Sequence, residues 1–285
     1  MHGTVYLDGR FVAAAEAKVS IFDRGFLFGD AAYEVIPVYG GRVFRPAQHF
    51  DRLRASLAVL GIAPPHDDAG WSGIIERLLA DAGPGEQSLY IHVSRGVDAG
   101  RDAAHFTGPE PTVLVMVEPV TLDRALLRRG IRAVLLEDTR WHNCHVKSTS
   151  LLGNLLLRRR ALDSGAAEAL LHRDGELTEG TSSNVFALLG GELRTAPADR
   201  RILRGITRDV VIELAAACGT PVAERAPALA ELAQAAELFI CSSTREIVPV
   251  TVLDGRPVAD GVPGPLTCRL IEAFDDFKRS FTEAA

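Results

Sequence analysis

Lys147 stands in the stretch Arg140-Trp141-His142-Asn143-Cys144-His145-Val146-Lys147-Ser148-Thr149-Ser150, and no other lysine occurs between Lys18 and Lys278. The chain otherwise meets its need for positive charge with arginine, so a lysine here points to something a guanidinium cannot do. An amine can be desolvated, can lose its proton and can condense with a carbonyl to form a Schiff base. Three further features extend that chemistry: Glu179 in Thr178-Glu179-Gly180-Thr181-Ser182-Ser183-Asn184, the helix start Gly205-Ile206-Thr207, and Arg52 in His49-Phe50-Asp51-Arg52-Leu53. Each also has an ordinary reading, as a solvated lysine, an exposed turn acid, a helix cap or a charge on a helix surface. Taken as a set they supply an amine nucleophile, an anion to face a cation, and donors for an anionic group.

These residues need elements to hold them. Ile131–Leu136 reads as a short strand, and Leu151, Leu152, Leu155, Leu156 and Leu162 recur near helical spacing, so Lys147 falls at an edge between strand and helix. Thr4–Leu7 and Arg10–Val12 flank Asp8-Gly9 as a hairpin. Tyr33–Tyr39 reads as a strand with Tyr33, Val35, Pro37 and Tyr39 on one face, and Pro37, which has no N–H for the ladder, predicts an edge or a bulge. Pro46 opens a helix with the apolar stripe Phe50, Leu53, Leu57 and Leu60, leaving Arg52 off it. A helix from Trp71 to Ala82, a strand Ser88–Arg95 and the apolar run Thr112–Val117, read as a strand buried on both faces, follow. The later part alternates short strands and helices. Gly205-Ile206-Thr207 opens a helix with Val210, Val211, Leu214 and Ala217 inward, Ser242-Ser243-Thr244 lies between two strands, and a helix from Gly264 to Phe277 closes the chain. The pattern is α/β (α+β), with a smaller N-terminal domain over 1–118, a linker over 119–124 and a larger domain over 125–285.

Bulk properties narrow the classes. With 285 residues and 47% hydrophobic composition the chain can build a substantial core. A net charge of −6 with no basic tract gives a nucleic-acid surface little support. No signal-peptide core or membrane-length apolar run is visible, which predicts a cytoplasmic protein without membrane partners. Cys144, Cys218, Cys241 and Cys268 form no C-x-x-C pair, which argues against a zinc site or a disulfide framework and predicts buried thiols.

Lys147, Glu179, Thr207 and Arg52 together match the needs of pyridoxal 5'-phosphate: an amine for its aldehyde, an anion opposite its ring nitrogen, and a cradle for its phosphate. The chain resembles the fold-type IV, or class IV, pyridoxal-phosphate aminotransferases, and among them is most similar to the D-amino-acid aminotransferases. The resemblance runs almost end to end, through Asp23–Asp30, Tyr33-Glu34-Val35, His49–Leu53, Arg140–Ser148, Thr178–Phe186 and Leu203–Arg208. It implies a two-domain enzyme with the cofactor between the domains. Lys147 would form the Schiff base and shuttle the proton between substrate and cofactor carbons. Glu179 would face the pyridine nitrogen, and Tyr33 would hydrogen-bond near the cofactor phenolate or the lysine. Arg52, the amides of Ile206 and Thr207, and the hydroxyls of Thr207, Ser243 and Thr244 would hold the phosphate, with Leu203 packed on the ring.

The resemblance further implies transamination between a D-alanine-like amino acid and a 2-oxo acid such as pyruvate or 2-oxoglutarate. It implies a homodimer in which the loop Gly96 to Pro111 reaches the partner's site. Arg101 and His105 would clamp the substrate carboxylate, although their spacing is wider than in typical D-amino-acid aminotransferases, and Asp102 would sit beside the Arg101 cation. Pro37 leaves the substrate wall apolar. The same fold also serves R-selective amine transaminases, branched-chain transaminases and aminodeoxychorismate-lyase-like enzymes, and a non-catalytic cofactor-binding protein is a further alternative.

Overall fold

Leu89, Ile91 and Val93 alternate with Tyr90 and His92 along one strand, and the first three are fully buried while the other two are half-buried. Such period-two alternation gives a sheet one apolar face for helices and one face for other uses. In the computed structural model, which describes residues 3–83, 85–104, 107–108 and 110–283, this pattern organises the first of two compact units. Its elements are β1 (Thr4–Leu7), β2 (Arg10–Ala13), α1 (Arg24–Phe28), β3 (Ala31–Tyr39), β4 (Arg42–Val43), α2 (Pro46–Leu60), α3 (Asp68–Ala82), β5 (Gln87–Ser94) and β6 (Thr112–Pro119). The strands form a six-stranded antiparallel sheet in the order β2-β1-β6-β5-β3-β4. Phe50, Leu53 and Leu57 of α2 and Trp71, Ile75 and Leu78 of α3 pack with Ile36, Val38, Leu89, Ile91, Val93, Val113 and Val115 into one core.

One expectation holds and one changes. Pro37 pairs with Ser88 of β5 on one side and has no strand residue opposite it on the other, because β4 pairs only with Val38 and Tyr39, so it sits on an edge stretch of β3. The run Thr112–Val117 buries Val113 and Val115 but leaves Leu114 and Met116 partly exposed, as an antiparallel strand with one core face does.

The second unit contains α4 (Arg124–Arg129), β7 (Ile131–Glu137), α5 (Leu152–Asp163), β8 (Glu168–Arg173), β9 (Glu176–Gly180), β10 (Asn184–Leu189), β11 (Glu192–Arg194), α6 (Ile206–Ala217), β12 (Val222–Ala223), β13 (Glu237–Ser242), β14 (Glu246–Leu253), β15 (Arg256–Pro257) and α7 (Pro265–Glu283). Its mixed sheet runs β12-β11-β10-β13-β14-β7-β8-β9, with β15 paired to β14. Parallel pairing of β7 with both β14 and β8 makes those strands interior, and Leu170, Val185, Ile240 and Val248 fill the core beneath them. The units are Met1–Thr121 with Val146–Leu151, and Leu122–His145 with Leu152–Ala285. The short segment that carries Lys147 is therefore part of the first unit.

Helix α5 departs from the expected packing. Leu152, Leu155, Leu156 and Leu162 are more than half exposed, and the inward positions are Leu157 and Ala161. In α6, Val210, Val211 and Ala215 are buried, whereas Leu214 is half-buried and Ala217 exposed. Cys144 and Cys241 are buried as expected, but Cys218 and Cys268 are exposed.

Candidate active site

Alternation along β3 gives its two faces different chemistry. Ala32, Ile36 and Val38 join the core, and Glu34 points to the same side with no exposure. A buried carboxylate needs cations and donors. Helix α2 supplies both, one turn apart: Arg52 donates from Nε to Oε1 and from Nη2 to Oε2, each at 2.8 Å, and His49 Nδ1 donates to Oε2 at 2.8 Å. Burial pushes the Glu34 carboxyl up, but Arg52 and then His49 outweigh it and hold the group at about 2. Burial also lowers His49, against the pull of Glu34. With its Nδ1 proton committed to Glu34, the ring keeps a buried Nε2 without a hydrogen-bond partner among the described residues.

On the other face Tyr33 and Tyr90 lie with ring centroids 5.7 Å apart, and Tyr90 Oη is 3.2 Å from His92 Nδ1. Lys147 joins this face through its backbone. Tyr33 N donates to Lys147 O at 3.0 Å, Lys147 N donates to Ser56 Oγ at 3.1 Å, and Thr149 N donates to Ala31 O at 3.0 Å. A bridge between Ala32 and Ser148 completes the attachment. The Lys147 ammonium lies 4.2 Å from the Tyr33 ring centroid and forms no ion pair among the described residues. Tyr33 thus meets the lysine through its ring face and not through its hydroxyl, a contact worth about 0.5–1 kcal/mol at exposed sites.

Arg101 is exposed, with its guanidinium carbon 5.9 Å from the Phe28 ring centroid. The chain beside it is anchored by the buried Arg24, which donates to the carbonyls of Asp102 at 2.8 Å and Ala103 at 3.2 Å. Asp102 Oδ1 accepts from Ala104 N. His105 lies outside the described residues.

In the second unit Glu179, one residue before the end of β9, lies in a buried network. Arg140 Nη1 donates to Glu179 Oε1 at 2.7 Å, while Arg140 Nε and Nη2 both reach Asp138 at 2.9 Å. One guanidinium therefore serves two carboxylates. Leu203 N donates to Glu179 Oε2 at 3.0 Å, and Asn184 Nδ2 ties to Leu203 O at 2.8 Å. This joins Glu179 to the chain entering α6. Burial raises the Glu179 carboxyl, Arg140 only partly offsets it, and the group rests at about 7. The neighbouring Asp138, with more of Arg140 and with Arg173 at 3.3 Å, is lowered. The N-terminus of α6 starts at Gly205 with no side-chain cap, so the amides of Ile206 and Thr207 have no capping side chain. Ser243 and Thr244 lie in the turn between β13 and β14.

These donor and acceptor sets fit pyridoxal phosphate. Lys147 is an amine with no carboxylate partner among the described residues, Glu179 is a buried acid short of positive charge, and α6 offers a helix start with no side-chain cap. Residues 31–253 match the family described as Amino-transferase class IV. The chain belongs to that family. A D-alanine aminotransferase of Listeria monocytogenes is 38% identical over 274 residues, with 95% of this chain and 94% of that protein covered. A branched-chain aminotransferase of Thermoproteus uzoniensis, solved with norvaline, is 27% identical with a TM-score of 0.88, covering 97% of this chain and 94% of its own. The branched-chain amino acid aminotransferase of Escherichia coli is 25% identical with a TM-score of 0.84, covering 96% of this chain and 94% of its own. The mixed helix-and-sheet architecture is thus the fold-type IV one expected from the sequence.

Sequence reasoning had not singled out Asp138, Arg140, Glu34, His49 or Asn184 for a place in the site. Arg140 and Asn184 lie inside the motifs around Lys147 and Glu179, so position within those motifs was the available signal; nothing in the sequence announced that Arg140 is divided between two acids.

A carboxyl raised on folding from 4.5 to about 7 binds its proton more tightly in the folded state. Its contribution to stability is complete below 4.5 and is lost as pH rises through 7. In protein prepared without cofactor, Glu179→Gln should therefore reduce the loss of denaturation midpoint between about pH 5 and about pH 8. An unchanged pH dependence would contradict the under-compensated carboxylate.

Proposed function

We propose that the chain is a pyridoxal-phosphate-dependent aminotransferase that moves the amino group of a D-alanine-like amino acid to a 2-oxo acid such as pyruvate or 2-oxoglutarate. The observation that carries this reading is Lys147, fixed at its backbone by β3 and α2, with its amine over the Tyr33 ring and in no ion pair among the described residues. The 38% identity with a D-alanine aminotransferase over nearly the whole chain favours D-configured donors. When bound, the cofactor supplies an aldehyde that accepts the amino group and a cationic ring that draws electrons from the substrate α-carbon.

The chain's own residues do the rest. Lys147 Nζ takes the proton from the substrate α-carbon and returns it one position along, as a tethered amine at high effective concentration. Glu179, short of a full counter-charge, would pair with the protonated ring nitrogen, which would favour its ionised form. Arg52, oriented by Glu34, would hold the phosphate with the amides of Ile206 and Thr207 and the hydroxyls of Thr207, Ser243 and Thr244. Leu203 would pack on the ring, and Tyr33, whose ring lies 4.2 Å from Lys147 Nζ, would orient the lysine. Arg101, with His105, receives the substrate carboxylate. The exposed leucines of α5 are the kind of surface a second copy would cover, which supports a homodimer. Free cysteines, two of them exposed, suit the cytoplasm.

A donor panel in both enantiomers tests the reaction. D-alanine alone should convert the visible band of the purified protein to that of the amine form of the cofactor, and Lys147→Ala should abolish the conversion. Faster turnover of L-branched-chain donors would favour the branched-chain reading, and pyruvate release without an acceptor would favour a lyase. Arg101→Ala should lower kcat/KM for D-alanine roughly 10- to 100-fold, the equivalent of one charge-assisted hydrogen bond, and spare amines that lack a carboxylate. An unaltered variant would remove Arg101 from substrate binding. Light scattering should give a dimer mass for the wild type, and Leu155→Glu with Leu156→Glu should give a monomer; a monomeric wild type would end the dimer reading.

A further inference from the structure

Lys278 is, with Lys18 and Lys147, one of three lysines in a chain that otherwise uses arginine. It lies on α7 and is 6% exposed. Its Nζ is 2.5 Å from Glu246 Oε1 and 3.2 Å from Asp275 Oδ1, and Asp275 Oδ2 in turn accepts from Arg124 Nη1 at 2.6 Å. Glu246 is 5% exposed and adopts a left-handed backbone with φ 56°. Outside glycine that conformation is disfavoured and persists where surrounding contacts over-determine it.

The position of Glu246 matters because it opens β14 and pairs with Ser242, so it closes the turn that contains Ser243 and Thr244. The residue just before it is also tied down: Arg245 Nη2 reaches Glu168 Oε2 at 2.6 Å and Ser182 Oγ at 3.2 Å. Both charged residues that follow the hydroxyls are thus clamped to partners on other elements. A compact ammonium suits the Glu246 side of the clamp, where a planar guanidinium would need more room.

We propose that Lys278 is a positioning residue for the cofactor phosphate: through Glu246 it holds the Ser242–Thr244 turn in the conformation that presents its hydroxyls. This rests on the reading of the chain as a pyridoxal phosphate enzyme. In this reading Lys278 contacts no ligand and acts on the turn through Glu246.

The test compares two ligands on the full chain, pyridoxal phosphate and pyridoxal, which lacks the phosphate. Binding is followed by visible absorbance on serial dilution of the loaded protein. Lys278→Met should weaken pyridoxal phosphate about tenfold or more, the scale of one charged hydrogen bond, and leave pyridoxal affinity nearly unchanged. In a Glu246→Gly background, where glycine accepts the left-handed backbone unaided, Lys278→Met should have little further effect. Equal weakening of both ligands, or no weakening of pyridoxal phosphate, would overturn the proposal and leave Lys278 as a tie between α7 and β14. Should Lys278→Met fail to fold, Glu246→Gln provides the same comparison of ligands. A wild type that takes up neither ligand would instead sink the proposed function, so the two failures are distinguishable.

Discussion

A single guanidinium shared by two buried carboxylates is the constraint on which the second unit's buried polar network depends. Arg140 contacts Asp138 through two nitrogens and Glu179 through one. The network reaches outward from there. Thr178 Oγ1 donates to Asp138 at 3.2 Å, and Arg173 approaches the same carboxylate. Helix α5 passes so close that a Cβ on Gly153 would lie 3.3 Å from Arg140 Cγ. The end of β7, the end of β9 and the start of α5 are therefore located by one side chain. Breaking a buried charge set of this kind commonly costs about 3–5 kcal/mol, because an uncompensated charge is left behind.

The first unit solves the same physical problem in the opposite way. Glu34 has a bidentate arginine and a histidine to itself and is held at about 2, whereas Glu179 has the smaller share of one arginine and sits near 7. Both are buried, so burial does not separate them; the ratio of donors to acceptors does. A fully compensated carboxylate orients its neighbours and takes no further part, as Glu34 orients Arg52. An under-compensated one retains an appetite for a cation, and perturbation of this sort is what marks functional acids.

The elements were largely legible in the sequence because they follow from short-range rules. The Asp8-Gly9 hairpin, the helix opened by Pro46 and the uncapped start at Gly205 are each set by local backbone chemistry. The placing of Lys147 between strand and helix was equally readable, as was its family. Other features depend on long-range pairing and were not. Periodicity showed that Leu152, Leu155 and Leu156 share a helical stripe but could not tell a core face from an exposed one, and they are exposed. Nor could the strand pattern reveal that Tyr33 would meet the lysine through its ring, which depends on a bridge between residues 32 and 148.

That bridge bears on inheritance. The first unit is not a continuous piece of chain, since Val146–Leu151 returns to it after the second unit has begun. A fragment ending at residue 121 would keep all six strands of its sheet yet lose the amine, the carbonyl that receives Tyr33 N and the partner of Ala32. Neither unit could then be shuffled into another protein by one cut with its chemistry intact. Recombination that respects this wiring must carry both pieces together, so Lys147 and the strand it is bonded to are inherited as one block.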